Sequence, residues 1–131
     1  MKRNLFENGK RFEEYASAEF KKVYKTTLIS AEDVKFFSAF KLNVLCISEK
    51  WCKDCAREVP LLAYIADKAR WDMRIFGRNE DPLLMEEYFL GKKRKIPVFI
   101  FYDEDFKEIG RFIEKAPREK TTLEILKEIL D

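Results

Sequence analysis

The sequence predicts an α/β fold in which N-terminal helices precede a mixed four-stranded sheet with the element order βαβαββα. Three observations support this prediction. Short apolar runs rich in strand-forming residues alternate with segments of helical periodicity from residue 42 onward. The last two runs are separated by a short polar turn, which is typical of a hairpin. A CxxC pair stands where the first run gives way to the first helix, so the same pattern also positions a chemical motif.

Length and composition indicate one domain, expected to span residues 1–131 with a helical extension over 1–41 and a core over 42–131. Charged residues make up 38% of the chain but their net charge is only +2, which is typical of a salt-bridged surface. No apolar run approaches the ~20 residues of a membrane helix, and the first residues lack an apolar signal stretch. We therefore expect a cytoplasmic protein without a membrane partner.

Histidine is absent, and this excludes several kinds of site. A His general base, a Ser-His or Cys-His pair and a His-containing zinc site are all ruled out. The three cysteines are an odd number, which argues against a disulfide scaffold, and alone they would make a poor structural zinc site. We expect neither a metal nor an organic cofactor.

Two helices are predicted before residue 42. Aromatic and apolar side chains recur at roughly helical spacing over residues 6–22, namely Phe6, Phe12, Tyr15, Ala16 and Phe20. We interpret the aromatic ones as core or covering residues, with a partner surface as the alternative. A capping-box pattern at residues 30–33 begins the second helix, which is expected to run to about Phe40.

The core elements follow in order. Residues 42–48 form a buried apolar strand, and a helix over about 53–70 begins at the cysteine pair with Pro60 inside it. Residues 72–77 predict a second strand, and Asp81 caps a helix over 83–90 that ends at Gly91. Residues 97–102 and 107–113 are the hairpin strands, and a capping box at residue 121 starts a last helix. Strands joined by the helical crossover should be parallel and the hairpin antiparallel.

The segment Trp51-Cys52-Lys53-Asp54-Cys55 carries the chemistry. A CxxC turn brings two sulfurs close enough to form a disulfide. The N-terminus of the helix that follows favours a thiolate on the first cysteine through its partial positive charge and free N–H groups. A structural or inert pair is the alternative interpretation of these two cysteines.

This order and this motif resemble the thioredoxin superfamily, with its three-layer α/β/α fold. The resemblance covers residues 42–130 and depends on three features: the Trp51–Cys55 motif, Pro60 five residues after it, and Ile96-Pro97 at the start of a strand. The long N-terminus and the WCxDC form look most like small bacterial or archaeal thioredoxin-like proteins with an N-terminal helical extension. At Pro97 the resemblance implies a cis peptide bond, with an ordinary trans proline as the alternative.

The resemblance also implies roles for individual residues. Cys52 would be the attacking thiolate and Cys55 the resolving thiol. Trp51 would pack over the site. Pro97 would leave a backbone edge at Ile96 free for an extended substrate. Lys53 and Asp54, between the cysteines, would also face the substrate.

The chain departs from the thioredoxin pattern at two places. Lys53 and Asp54 replace the usual Gly-Pro, and we expect the lysine to favour the thiolate of Cys52 and the aspartate to oppose it. Cys46 occupies the position of a buried aspartate thought to help deprotonate the resolving thiol. Glu49 or water could take over as proton acceptor. We expect Cys46 itself to be a core residue, with a third redox thiol as the alternative.

The leading functional hypothesis is a thiol–disulfide oxidoreductase that acts on protein or small-molecule disulfides and is recharged by an unidentified reductase or small thiol. A binding or redox-sensing module and an iron–sulfur carrier are the alternatives. The basic segment Lys92–Lys95 lacks interleaved aromatics, so we expect a solvated loop and no nucleic-acid partner. A third interpretation is that it raises the potential near Cys52 and attracts acidic substrates.

Overall fold

A four-stranded mixed sheet forms the centre of the structure, a computed structural model that describes residues 1–81, 84–85, 88, 95–114, 116–117 and 119–131. Its strands are β1 (Asn43–Ser48), β2 (Asp72–Gly77), β3 (Val98–Tyr102) and β4 (Glu108–Ile113). They lie in the order β2-β1-β3-β4. β2 is parallel to β1, whereas β3 is antiparallel to both β1 and β4. The predicted parallel pair and the predicted hairpin are therefore confirmed.

The described residues form the helices α1 (Arg3–Phe6), α2 (Phe12–Tyr15), α3 (Ala18–Thr26), α4 (Ala31–Ser38), α5 (Lys53–Ala69) and α6 (Thr122–Leu130). Leu84, Met85 and Tyr88 are also helical. The remainder of the helix predicted over 83–90, its expected end at Gly91 and the basic residues 92–94 lie outside the described residues.

Side chains along β1 alternate between the two faces of the sheet, and other elements cover both faces. α5 packs over the face that carries Cys46 and Ser48, and α3 and α4 pack against α5. On the opposite face, the ring of Phe106 lies 5.2 Å from that of Phe6, and the Tyr102 hydroxyl hydrogen-bonds to that of Tyr88. Every residue of β1 is buried as a result. This is the predicted thioredoxin-like arrangement of helices on both sides of a mixed sheet.

The single helix predicted over residues 6–22 is wrong, because tertiary contacts interrupt the helical pattern. Lys10 forms an antiparallel bridge with Ile75, so the chain crosses the edge of β2 in extended form. A Cβ on Gly9 would lie 2.6 Å from the ring of Phe76, and only glycine fits this close approach. Ser17 then caps α3 by accepting the N–H of Phe20. The edge of β2 is thereby paired with the backbone of Lys10, and the helix cannot continue through this residue.

The other predicted starts of helices agree with the structure. The Ser30 hydroxyl accepts the N–H of Asp33 at 3.0 Å and caps α4. Thr121 and Glu124 form a reciprocal capping box at the start of α6. Asp81 accepts the N–H of Leu84 at 3.1 Å, as expected for the cap of the helix that follows β2.

Candidate active site

The two cysteines of the CxxC motif lie at the start of α5 in different environments. Cys52 is the N-cap residue, and its sulfur accepts the backbone N–H of Cys55 at 3.2 Å. Cys52 is half-buried, whereas Cys55 lies one turn further along and is fully buried. Both carry free thiols. Cys52 is therefore partly exposed at the positive end of a helix, whereas Cys55 is enclosed in the core.

The structure brings Ile96 and Pro97 beside Cys52. The peptide bond between them is cis, which confirms the prediction. The thiol of Cys52 donates to the carbonyl oxygen of Ile96 across 3.8 Å. Both Ile96 and Pro97 are buried, so this contact fixes the position of the loop before β3 against the start of α5. Two segments 44 residues apart in sequence thus meet at one sulfur atom.

Trp51 lies next to the cysteines but is largely exposed, with 67% of its surface accessible. The guanidinium of Arg78 lies 5.1 Å above its ring, a cation–π contact. The side chain therefore extends from the site into solvent as a large apolar surface. Such an exposed aromatic beside a partly exposed thiol is available for contact with another molecule.

The two residues between the cysteines differ in their partners. Lys53, the first residue of α5, is exposed. Asp54 pairs with Arg57 at 2.9 Å, so its negative charge is partly balanced within the same helix. The expected opposition between Asp54 and a thiolate on Cys52 is weakened by this ion pair.

Burial dominates the electrostatics of Cys55. Burial is the larger cause and a hydrogen bond with the Cys52 sulfur the second, and the pKa of this thiol is raised to about 12. Hydrogen bonds from the backbone of Glu49 and the hydroxyl of Ser48 act in the opposite direction and lower the pKa. Cys55 is therefore a protonated thiol at neutral pH.

Cys46 lies in the core beneath Cys55. It is fully buried, which confirms its expected role as a core residue, and burial together with the nearby Cys55 raises its pKa. Glu49, one of the two proton acceptors considered above, contacts Cys55 through its backbone. Its carboxylate instead accepts the N–H of Arg78 at 3.1 Å.

Sequence reasoning missed two hydroxyl groups near Cys55. Ser48 is fully buried at the end of β1, and its Oγ lies 2.9 Å from the hydroxyl oxygen of Tyr15. A serine on the inward face of an otherwise apolar strand was a sequence signal for a buried polar contact. Tyr15 had no such signal, because 33 residues separate it from Ser48.

Neither a metal-binding cluster nor a membrane helix is found in the part of the chain that the structure describes. No group of three or more Cys, Asp or Glu side chains there is arranged to hold a metal ion. Among the same residues, no helix combines the length and apolarity needed to cross a bilayer.

Comparison with known proteins places this chain in a family. A family profile described as Thioredoxin matches residues 7–127, which include most of the N-terminal helices. No curated protein matches the sequence.

Two solved structures share the fold at low sequence identity. A protein of unknown function from Pseudomonas aeruginosa is 19% identical, with a TM-score of 0.70 over 88% of this chain and 77% of that one. An HIV epitope scaffold is 18% identical, with a TM-score of 0.70 over 96% of this chain and 86% of that one. Oxidized mitochondrial thioredoxin 3 from Saccharomyces cerevisiae is 20% identical over 70% of this chain and 86% of its own, with a TM-score of 0.43.

Proposed function

The chain belongs to the thioredoxin family, and on this basis we propose that it is a thiol–disulfide oxidoreductase whose redox couple is Cys52 and Cys55. One observation carries the proposal. Cys52 is partly exposed at the N-terminus of α5, its sulfur contacts the Ile96 carbonyl at 3.8 Å, and a second free thiol lies one helical turn away. This combines an accessible nucleophile, a backbone edge for a substrate and a resolving group.

The reaction has two exchange steps. The thiolate of Cys52 attacks one sulfur of a substrate disulfide, which forms a mixed disulfide and releases the other substrate sulfur as a thiolate. Cys55 then loses its proton and attacks the Cys52 sulfur. The Cys52–Cys55 bond forms, the bond to the substrate breaks, and the second substrate sulfur leaves as a thiolate. Two electrons pass from the protein to the substrate.

The substrate would bind around Cys52. An extended chain can pair with the backbone of Ile96, which lies beside the Cys52 sulfur just before β3. The exposed ring of Trp51 offers an apolar contact, and Lys53 and Asp54 offer one charge of each sign. These features suit a disulfide in a protein or in a small molecule, reduced in the cytoplasm with electrons returned by a reductase or small thiol.

The N-terminal aromatics give little support to the alternative of an adaptor module. Phe6, Tyr15 and Phe20 are buried in the core, as expected from their spacing, and Phe12 is partly buried. They are therefore occupied within the chain and do not present a surface to a partner.

Replacement of each motif cysteine tests the proposal directly. We expect Cys52→Ser to abolish reduction of a disulfide substrate and Cys55→Ser to accumulate a mixed disulfide, detectable as an added substrate mass. Cys46→Ala is the matched control, because it removes a thiol outside the couple and should retain turnover. Full activity of the Cys52→Ser protein would contradict the mechanism.

The reduction potential decides the direction of the reaction. Equilibration of the Cys52–Cys55 couple in defined thiol buffers gives this value. A potential near ~−270 mV supports a reductase of disulfides. A potential near ~−120 mV would indicate an oxidant and contradict the assignment as a cytoplasmic reductase.

A further inference from the structure

A cleft of about 270 Å³ lies between the N-terminal extension and the loops that follow β1 and β2. Its lining includes Lys10 and Tyr15 from the extension and Glu49 and Lys50 from the loop after β1. Because β1 and β2 are parallel and paired along their whole length, both loops leave the sheet at the same edge. Ligands of open α/β sheets bind at this carboxyl edge of the strands. The cleft therefore occupies a position that suits a binding site.

A tight turn joins the cleft to the CxxC motif. The backbone N–H of Cys52 donates to the carbonyl oxygen of Glu49 at 3.3 Å. This bond closes a four-residue turn with Lys50 and Trp51 at its centre, and the first and last Cα atoms of such a turn lie within about 7 Å of each other. A molecule whose disulfide contacts Cys52 can therefore extend a short arm into the cleft.

Several contacts hold the walls of the cleft in place. Lys10 exchanges two backbone hydrogen bonds with Ile75, at 2.8 and 2.7 Å. The hydroxyl oxygen of Tyr15 lies 2.9 Å from that of Ser48, and the ammonium of Lys50 lies 5.5 Å from the centre of the Tyr15 ring. The two lysines thus project from backbone segments that are already fixed, which lowers the entropic cost of binding a ligand between them.

The charged groups of the cleft differ in their partners. Each of its two carboxylates accepts a backbone N–H: that of Glu49 from Arg78 at 3.1 Å, and that of Glu80 from Gly77 at 2.8 Å. Both lysines are exposed, and their ammonium groups have no hydrogen-bond or ion-pair partner among the residues that the structure describes. The negative charges of the cleft are therefore partly satisfied, whereas its positive charges are available to a carboxylate from another molecule.

We propose that the cleft receives a carboxylate of the substrate, and that Lys10 and Lys50 make the protein selective for small-molecule disulfides with a carboxylate close to sulfur. This inference rests on the proposed function, because it names a substrate class for the Cys52 and Cys55 couple. Cys52 attacks one sulfur of the dithio acid while a carboxylate of that acid pairs with an ammonium group. After resolution by Cys55 the protein holds one disulfide, and the acid leaves as two thiol molecules that carry the two electrons and two protons.

Three small disulfides that differ in charge test this selectivity. Dithiodipropionic acid carries carboxylates, hydroxyethyl disulfide is uncharged, and cystamine carries ammonium groups. The reduced protein is mixed with each at neutral pH and low salt, and the remaining thiols are trapped with N-ethylmaleimide and counted by mass spectrometry over time. Each rate constant of a variant is divided by that of the unmodified protein with the same disulfide. Differences between the leaving thiols then cancel.

We expect Lys50→Gln and Lys10→Gln each to slow the reaction with dithiodipropionic acid by about threefold, since each removes one exposed charge contact with the substrate. The double variant should slow it by about tenfold. The reaction with hydroxyethyl disulfide should stay within about 1.5-fold in all three proteins, and cystamine should react as fast as before or faster, because a like charge has been removed.

Lys41→Gln is the matched control. It removes the same charge from an exposed lysine just before β1, at the opposite end of that strand. Six strand residues span about 20 Å, which exceeds the screening length of about 10 Å at 0.1 M salt. We therefore expect its rates with all three disulfides to match those of the unmodified protein.

The outcomes separate this inference from the function on which it rests. An unmodified protein that none of the three disulfides oxidises would contradict the oxidoreductase itself. A protein that is oxidised, but whose double variant reacts with dithiodipropionic acid as fast as before, would overturn the carboxylate site alone. Equal slowing with all three disulfides would also overturn it, because the lysines would then act on the Cys52 thiol. An equal loss in Lys41→Gln would attribute the effect to net charge and overturn it too.

Discussion

The two cysteines are one helical turn apart, but the regions around them differ in how they are built. The first region, which we call the rim, consists of Trp51, Cys52 and Ile96. The second, the floor, consists of Cys55 and the side chains of Cys46, Ser48 and Tyr15. The rim depends on a short motif, one helix start and one proline loop. The floor draws on β1 and α2 and is entirely buried. Changes at the rim should therefore alter reactivity, and changes at the floor should alter stability or the second step.

Glu58 is a second buried titratable side chain on α5, and like Cys55 it has a pKa raised by burial. Glu58 is buried one turn after Cys55, and burial raises its pKa. The hydroxyl of Thr122 donates to its two carboxylate oxygens at 2.8 and 2.9 Å. Burial raises the pKa of both buried titratable side chains on this helix, and Glu58 has a hydroxyl partner, Thr122, from another element. Partnered groups of this kind cost much less to bury than unpartnered ones.

The largest expected difference between the two regions is in thiol reactivity. At pH 8 a pKa of about 12 leaves about one Cys55 thiol in ten thousand ionised, and the thiol is also buried. We expect iodoacetamide to modify Cys52 more than about 100-fold faster than Cys55 or Cys46 in the reduced native protein. Peptide mass spectrometry over a time course measures the three rates. Equal labelling of Cys52 and Cys55 would remove the distinction between rim and floor.

The next largest effect is expected from a charge placed in the floor. Cys46→Asp puts a carboxylate at a fully buried position, and we expect it to lower the free energy of unfolding by about 3–5 kcal/mol at pH 7. The native pKa of this carboxyl would be raised above its unfolded value, so the loss should shrink as pH falls through the native pKa. Urea unfolding at pH 4 and pH 7 tests this.

Cys46→Ala is the control for that comparison. It leaves a small cavity and no charge, so we expect a loss of about 1–2 kcal/mol that is the same at both pH values. A Cys46→Asp protein as stable as Cys46→Ala at pH 7 would show that the floor accommodates a charge, contrary to its burial.

A smaller loss is expected from removal of the hydroxyl partner of Glu58. Thr122→Val leaves this buried carboxylate without its main donor, and we expect a loss of about 2 kcal/mol at pH 7. The hydrogen bond from Thr122 lowers the pKa of Glu58, so its removal raises that pKa further above the unfolded value. A raised carboxyl pKa makes the native state less stable as pH increases through it. The loss should therefore be greater at pH 7 than at pH 4, as measured by urea unfolding.

Thr27→Val provides the matched control for Thr122→Val. The hydroxyl of Thr27 donates to the backbone carbonyl of Val23 at 2.8 Å, and neither group titrates. We expect a smaller loss, about 1 kcal/mol, with no pH dependence. If the loss in free energy of unfolding caused by Thr122→Val did not change with pH, Thr122 would not act through the charge of Glu58.

The smallest effect on stability is expected at the rim. Trp51 is 67% exposed and its ring contacts the guanidinium of Arg78, so Trp51→Ala should change the free energy of unfolding by about 0.5 kcal/mol. The same substitution should raise the KM for a disulfide-containing peptide if the ring contacts substrate. A loss of stability above about 2 kcal/mol would place Trp51 in the folded core instead of at the rim.

Most of the fold and half of the site could be predicted from the sequence, because they depend on local patterns. The strands matched apolar runs, and the cap residues Ser30 and Thr121 marked helix starts. The motif at the start of α5 predicted which thiol is accessible, since the N-cap position is local to the helix. The prediction was wrong at Gly9 and Lys10. The regular spacing of aromatic residues predicted one helix, but Lys10 pairs with Ile75 at the edge of β2, and Gly9 packs closely against Phe76.

The sequence by itself determined the α/β class and the CxxC motif at the start of a helix, because these depend on residues that are adjacent or on a pattern with a fixed period. The cis bond before Pro97 was implied only by the family resemblance. Only the tertiary structure decided what surrounds the buried thiol. Tyr15 reaches Ser48 across 33 residues, and Thr122 reaches Glu58 across 64. No local pattern encodes such pairs, because each requires two elements to pack before the hydroxyl and its partner lie within hydrogen-bonding distance.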